Sequence, residues 1–180
     1  MTDEETYKEI PRAKKLASNI VAAAIVFAAG TLLFALGLAT DISMSKLIVP
    51  VVLAALGLML FVSSVIQFNT VSMYLSVLFL VCSAVSFVAH FSPVGYAQLW
   101  PTYILAPAIA SVATMFMSGD YKFHLRLIVL FGVPAVLLSL MSFEVLDLRV
   151  VVPALIMFAG LAALYAALYA ALAVRGTTEE

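Results

Sequence analysis

The sequence predicts an all-α polytopic membrane protein with six transmembrane helices, arranged as three helical hairpins repeated in parallel. Three observations predict this fold. Of the 180 residues, 65% are hydrophobic and 11% are charged, which is less than half the charged share of a typical soluble domain. Six apolar runs have the length at which a helix crosses a bilayer. A proline recurs near the start of every second run, with a period of about 50 residues, at Pro50, Pro101 and Pro153.

The six runs are predicted to be helices because they are long and rich in leucine and alanine. They lack the alternation of apolar and polar residues that a membrane β-barrel strand requires. A helix also satisfies its own backbone hydrogen bonds inside the bilayer. The breaks between the runs are short, so each helix is expected to run antiparallel to the one before it. The predicted spans lie near 15–40, 45–68, 70–92, 97–118, 121–143 and 149–174.

The spans leave no room for a soluble domain. Residues 1–14 are predicted to form a cytoplasmic N-terminal segment, and residues 176–180 a short cytoplasmic tail. The N-terminal segment does not resemble a secretory signal peptide, because no small-residue cleavage signal precedes the first span. The transmembrane domain extends over 15–175, with hairpins at about 15–68, 70–118 and 121–175.

The distribution of lysine and arginine predicts the orientation of the helices. Seven of these residues lie on the side that carries both termini and the breaks near residues 68 and 120, whereas the other side carries only Lys46 and Arg149. Cytoplasmic segments of membrane proteins carry the excess of positive charge. We therefore predict a multi-pass protein of the bacterial inner membrane with both termini in the cytoplasm. Lys122 and Arg126 are candidate contacts for anionic lipid headgroups, with a docking surface for a protein as the alternative.

The repeated prolines are interpreted as helix starters in the first turn of their spans. There the absent N–H would have no partner within the helix. The alternative interpretation is that they line an outward-facing site. Three hairpins that all enter from the same side also suggest a pseudo-threefold bundle about the membrane normal.

Two further prolines lie inside spans, where each is expected to free a backbone carbonyl and to bend its helix. In a bilayer, a freed carbonyl requires a polar partner or a water-filled pocket. Two interpretations stay open: a packing kink satisfied by neighbouring serine or threonine, or a cavity between the middle and last hairpins. The candidate cavity residues are Tyr103, Pro107, Thr114 and Pro134.

The sixth span carries alanines at four-residue spacing. Small residues let helix backbones approach closely in lipid, where the hydrophobic effect does not drive association. This face either packs within its own bundle or contacts a second copy or a partner membrane protein. Its residues are Ala159, Ala163, Ala167 and Ala171.

Few residues predict chemistry. No ionisable residue is expected at mid-depth of a span, which argues against an ion-coupled pump. The sequence contains no His-Glu-x-x-His zinc motif. His90, Glu144 and Asp147 at the outer boundary would have to converge to support a lipid-handling enzyme. A formal net charge of −1 argues against nucleic-acid binding. We predict a non-enzymatic protein without a cofactor or a bound metal, whose partners are membrane lipids and a further membrane chain.

The hairpin repeat resembles a family of small bacterial membrane proteins. Each even span runs from a proline into an apolar stretch, which contains Gly57 in the second span and Gly160 in the sixth, as in HdeD-like acid-resistance membrane proteins. The segment LWPTYILAPAIA, which includes Trp100, is similar to the Trp-Pro-led spans of LiaF-type envelope-stress membrane domains. The chain has fewer glycines than the first family and, unlike the second, six spans without a soluble sensor domain.

Three hypotheses for the function stay open. The first is an interaction or accessory component of the envelope or of its stress response, acting through the helix bundle. The second is a passive pore or facilitator for a small neutral or apolar solute. The third is a lipid-binding or lipid-handling membrane protein.

Overall fold

The computed structural model describes residues 12–39 and 43–176 and confirms the predicted all-α fold. Within these residues there are six helices and no strand. The predicted terminal segments lie mostly outside the described residues. The helices are α1 (Arg12–Ala39), α2 (Met44–Gln67), α3 (Thr70–Phe91), α4 (Tyr96–Ser118), α5 (Tyr121–Ser142) and α6 (Leu148–Gly176).

All six helices are long and apolar enough to cross a membrane. Their apolar spans range from 21 residues in Leu16–Leu36 to 23 residues in Tyr96–Ser118. At about 1.5 Å per residue, each of these spans is long enough for a hydrocarbon core of about 30 Å.

Polar residues and a glycine end the helices at the shortest connections. Asn69 is the N-cap of α3. Its Oδ1 accepts hydrogen bonds from the backbone N–H groups of Val71 and Ser72. Gly119 ends α4 at a φ of 71°, a left-handed conformation that glycine adopts without steric cost. Asp120 then caps α5. We call the end of the molecule that carries these two connections the Gly119 end, and the opposite end, with the connections at 92–95 and 143–147, the Val94 end.

The repeated prolines do not start their helices, so this interpretation of the sequence was wrong. Pro50, Pro101 and Pro153 lie in the second turn of α2, α4 and α6. A proline in that position leaves the carbonyl four residues earlier without its helical donor. For Pro101 this is the carbonyl of Ala97, which accepts a hydrogen bond from Ser142 Oγ at 2.9 Å. The carbonyl that Pro101 leaves without a helical donor therefore accepts a hydrogen bond that links the last turn of α5 to the first turn of α4.

The helices form an open row rather than the threefold bundle that the repeat suggested. Among the described residues, close backbone contacts occur only between helices that are consecutive in the chain. The contacts of α2 with α3 and of α4 with α5 are the most extensive, those of α3 with α4 follow, and α6 contacts α5 least. The four helices α2 to α5 therefore form the packed part of the molecule, with α1 and α6 at its flanks.

Small residues let the packed helices approach closely. A Cβ added at Gly57 of α2 would lie 2.7 Å from Cγ of Leu80 on α3, so the two helices are in contact there. Ser83 of α3 donates a hydrogen bond of 2.6 Å to the carbonyl of Pro50 on α2. In α4, the most buried of the six spans, the fully enclosed side chains are mostly small: Pro101, Ala106, Ala108, Ala110, Ser111 and Thr114.

Candidate functional site

A cavity of about 470 Å³ lies at the Gly119 end, between α3, α4 and α5. This volume falls in the range of small-molecule sites and far exceeds the roughly 30 Å³ of one water molecule. We call it the Gly119 cavity. It is lined by Thr70, Val71, Tyr74, Thr114, Ser118, Asp120, Phe123, His124 and Leu127.

Two buried polar atoms at or near this cavity have no hydrogen-bond partner among the described residues. The first is Nδ1 of His124, whose side chain is only 6% exposed and lines the cavity. The second is Oγ of Ser111, which is fully buried one turn from Thr114 on α4. The hydroxyl of Tyr74 lies near Ser111, but no hydrogen bond of acceptable geometry joins them. Unpaired buried polar atoms are costly, which makes their occurrence beside a cavity informative.

The local sequence around Gly119 shapes the rim of the cavity. Ser118 Oγ accepts a hydrogen bond from the backbone N–H of Asp120 at 3.3 Å. Asp120 Oδ1 accepts one from the N–H of Phe123 at 3.2 Å, so this carboxylate caps α5 while it lines the cavity. The cap sets the first turn of α5, which brings His124 onto the cavity wall.

The wall of the cavity is mostly apolar and carries negative charge. Asp120 is the one carboxylate among the described lining residues, and neither lysine nor arginine lines the cavity in this part of the chain. Thr114 donates its hydroxyl hydrogen to the carbonyl of Ala110 at 2.7 Å, which leaves the Thr114 oxygen able to accept. The lining therefore combines one carboxylate with the aromatic rings of Tyr74 and Phe123.

A second polar cluster lies at the Val94 end, where its groups satisfy one another. The hydroxyl of Tyr96 lies 3.0 Å from Oγ of Ser86 and 2.9 Å from Nδ1 of His90. Nδ1 of His90 also lies 2.8 Å from the carbonyl of Ser86. The rings of His90 and Tyr96 meet edge to face at 5.0 Å. We call this cluster the Tyr96 network, and it links the end of α3 to the start of α4.

The residues predicted to line a cavity are dispersed. Thr114 lines the Gly119 cavity, whereas Tyr103, Pro107 and Pro134 are not among its lining residues. Tyr103 lies near the Tyr96 network at the opposite end of α4. Pro107 and Pro134 are half-buried within α4 and α5.

The alanine face of α6 is largely uncovered. The side chains of Ala159, Ala163 and Ala167 are exposed, whereas the side chain of Ala171 lies outside the described part of the structure. The neighbouring rings of Tyr165 and Tyr169 stack at 6.4 Å.

The two basic residues predicted to contact lipid headgroups differ in their surroundings. Lys122 is exposed in the first turn of α5. The guanidinium of Arg126 lies 4.4 Å from the ring centre of Tyr169 and 5.8 Å from that of Tyr165. Such cation–π contacts contribute about 0.5–1 kcal/mol at exposed sites. Arg126 thus joins α5 to α6, and its exposed side chain can also meet headgroups.

No group of three His, Cys, Asp or Glu side chains that could hold a metal ion occurs among the described residues. His90 is bonded within the Tyr96 network, so the convergence of His90, Glu144 and Asp147 that a lipid-handling enzyme would need is not seen.

Sequence reasoning missed most of the Gly119 cavity, although a signal was present. Each helix brings polar residues spaced three or four apart to the same end, and this spacing places them on one helix face. The pairs and triplet are Thr70 and Tyr74 on α3, Ser111, Thr114 and Ser118 on α4, and Asp120 and His124 at the start of α5.

Six helices of membrane-spanning length and apolarity define the class of this chain, which is a multi-pass α-helical membrane protein. No protein-family model, curated protein or solved structure matches it. The candidate site is consequently assigned from its own geometry.

Proposed function

We propose that this protein is a non-enzymatic interaction or accessory component of a bacterial inner membrane, which associates with a second membrane chain through α6. The observation that supports this proposal most is the weak packing of α6. This helix contacts only α5 among the described helices, and it exposes the alanine face formed by Ala159, Ala163 and Ala167.

The physical argument rests on packing in lipid. Helices associate there mainly through close van der Waals contact, which small side chains permit. Ala163 and Ala167 lie on one face of α6, one turn apart, and neither is covered by α5. A helix of another chain could therefore approach this face closely. The resemblance to HdeD-like and LiaF-type proteins agrees with such a role and stays a prediction.

The excess of lysine and arginine near the termini and near Gly119 supports an inner-membrane orientation with cytoplasmic termini. Labelling of cysteines placed at residue 178 or residue 94 by a membrane-impermeant reagent tests this orientation. Only the cysteine at residue 94 should react in intact cells, and reaction at residue 178 would reverse the assignment.

The double substitution Ala163→Leu and Ala167→Leu tests the proposed association. Bulky side chains on this face should push a partner helix away and reduce the mass of the complex extracted in mild detergent. Size-exclusion chromatography with light scattering measures that mass. Because both residues are exposed, the thermal stability of the monomer should stay unchanged.

The matched control is Leu161→Phe, which enlarges an exposed side chain two residues away and therefore on the opposite side of α6. It should leave the mass of the complex unaltered. An unchanged mass in the double alanine variant, or a wild-type chain that is always monomeric without a partner, would overturn the proposal.

A second function, as a pore, has less support. That hypothesis required Tyr103, Pro107, Thr114 and Pro134 to line one continuous cavity. Only Thr114 lines the Gly119 cavity, which lies at one end of the packed helices.

A further inference from the structure

Helix α6 is packed at its start and largely uncovered further along. Val151, in the first turn of α6, is fully buried, which fixes this helix at the Val94 end. Most side chains between residues 156 and 168 are exposed. Toward the Gly119 end, α6 receives a contact from α5 through the guanidinium of Arg126, which lies against two tyrosine rings of α6. The position of α6 at this end therefore depends on few contacts.

One side of α6 faces α5. Leu155, Phe158 and Ala162 are half-buried, and α6 contacts only α5 among the described helices. The spacing of three and four residues places these side chains on one side of the helix. The same spacing continues to Tyr165 and Tyr169, the two rings beside Arg126. Burial and the cation–π contacts therefore identify the same side of α6.

The alanine face lies on the other side of α6. Successive residues of an α-helix are rotated by about 100°, so Ala163 and Ala167 each lie about 160° around the axis from Tyr165. Both alanines are exposed. The rotation of α6 that brings its tyrosines to Arg126 is therefore the rotation that turns these alanines away from α5.

Arg126 is suited to fix this rotation. Its guanidinium lies 4.4 Å from the ring centre of Tyr169 and 5.8 Å from that of Tyr165, and the two rings stack on each other. A cation near the face of an aromatic ring is stabilised electrostatically. Since α5 and α6 make the least extensive contact of any neighbouring pair, one such interaction has a large share in the orientation of α6.

We propose that Arg126 is a positioning residue for the association of α6. Its contact with Tyr165 and Tyr169 fixes the rotation of α6, so that Ala163 and Ala167 point away from α5 and toward a second membrane chain. The fixed rotation is a property of the single chain, whereas its use in association rests on the proposed function. A cation–π contact at an exposed site shifts an equilibrium by about twofold to fivefold, which sets the size of the expected effects.

Distances between two spin labels test the rotation within one chain. The labels are attached to cysteines in a Leu125→Cys and Leu168→Cys variant, at two exposed positions near the Gly119 end, with Cys82→Ala to remove the native thiol. Labelled protein is diluted with unlabelled protein, so that each distance arises within a single chain. The distance distribution should be broader when Arg126→Gln is added.

A reference pair of labels monitors the other end of α6. Val136→Cys and Ile156→Cys are exposed positions nearer the Val94 end. Their distance distribution should stay unchanged in Arg126→Gln, because the buried Val151 fixes the start of α6 independently of Arg126.

Further variants separate the ring contact from the positive charge. Lys122→Gln removes a positive charge one turn earlier on α5, from an exposed side chain without a cation–π contact among the described residues. It should leave the distribution narrow. Tyr169→Phe keeps a ring and should behave like the wild type, whereas Tyr169→Leu should reproduce the broadening. Combining Arg126→Gln with Tyr169→Leu should add little, because both substitutions remove the same contact.

Light scattering during dilution of the complex tests the use of this orientation in association. Arg126→Gln should raise the dissociation constant by about twofold to fivefold. Lys122→Gln and Tyr169→Phe should leave the dissociation constant unchanged, whereas Tyr169→Leu should raise it. A difference between the phenylalanine and leucine variants supports the ring contact, since both substitutions remove the hydroxyl.

An unchanged distance distribution in Arg126→Gln, or equal broadening in Lys122→Gln, would overturn the proposal. The proposal would also be overturned if Arg126→Gln left the dissociation constant unaltered while the double substitution Ala163→Leu and Ala167→Leu raised it. If that double variant keeps the mass of the complex, the proposed association has failed. The distance measurements alone then decide whether Arg126 fixes the rotation of α6.

Discussion

The two histidines of the chain lie at opposite ends of the packed helices in contrasting surroundings. His90 at the Val94 end is held by the Tyr96 hydroxyl and the Ser86 carbonyl, within the Tyr96 network. His124 at the Gly119 end is more deeply buried, yet its Nδ1 has no partner among the described residues, and its ring lines a cavity. The polar groups at the first end link α3 to α4, whereas Nδ1 of His124 at the second end is buried without a partner among the described residues. Burial of a histidine is therefore informative only together with its hydrogen bonds.

The largest expected effect is that of Tyr96→Phe, which would remove the hydroxyl that joins Ser86 to His90. The free energy of unfolding should fall by about 1 kcal/mol, the cost of one or two interhelical hydrogen bonds in a membrane protein. Reversible unfolding in mixed detergent micelles measures this loss. Tyr121→Phe is the control, because Tyr121 is exposed and makes no side-chain hydrogen bond in the described structure. Equal stability of the two variants would show that the Tyr96 network does not hold the helices.

His124→Phe should change stability in the opposite direction. It removes a buried nitrogen that has no partner among the described residues, so the free energy of unfolding in detergent should stay the same or rise by up to about 1 kcal/mol. The comparison variant His90→Phe loses the bonds of the Tyr96 network and should be less stable than the wild type. A clear loss of stability in His124→Phe would contradict the contrast between the two ends.

The smallest effect is expected for Ser111→Ala. Ser111 Oγ is fully buried without a partner among the described residues, so its removal should alter the free energy of unfolding by no more than about 0.5 kcal/mol. Ser83→Ala is the matched variant on α3, since Ser83 donates to the Pro50 carbonyl and should be the more costly of the two to replace. A substantial loss of unfolding free energy in Ser111→Ala would instead indicate that the hydroxyl of Ser111 forms a hydrogen bond with the hydroxyl of Tyr74.

The sequence predicted the helices well, because membrane insertion constrains each helix separately. Apolar length places the spans, and Asn69, Gly119 and Asp120 mark helix ends through local hydrogen bonding and backbone conformation. The role of the repeated prolines was predicted incorrectly. Proline is compatible with the second turn when another helix supplies a donor, as Ser142 does for the carbonyl of Ala97.

The candidate site was predicted less well, because it is assembled from three helices. Thr114 was anticipated, but Tyr74 and His124 were not, although Tyr74 lies four residues after Thr70 and His124 four residues after the capping Asp120. Spacing places side chains on a face of a helix and does not say which neighbour that face meets. The open row of contacts also separates Tyr103 from Thr114, which lie at different ends of α4.

By itself, the sequence determined that the chain forms six helices long and apolar enough to cross a bilayer, and approximately where each of them begins and ends. The reason is that hydropathy and helix capping are local properties. Only the tertiary structure decided that the described helices contact their chain neighbours in an open row, and that His90 Nδ1 has hydrogen-bond partners while His124 Nδ1 has none among the described residues. These features depend on which faces of different helices come into contact. In lipid, that choice is governed by the close packing of small side chains between neighbouring helices.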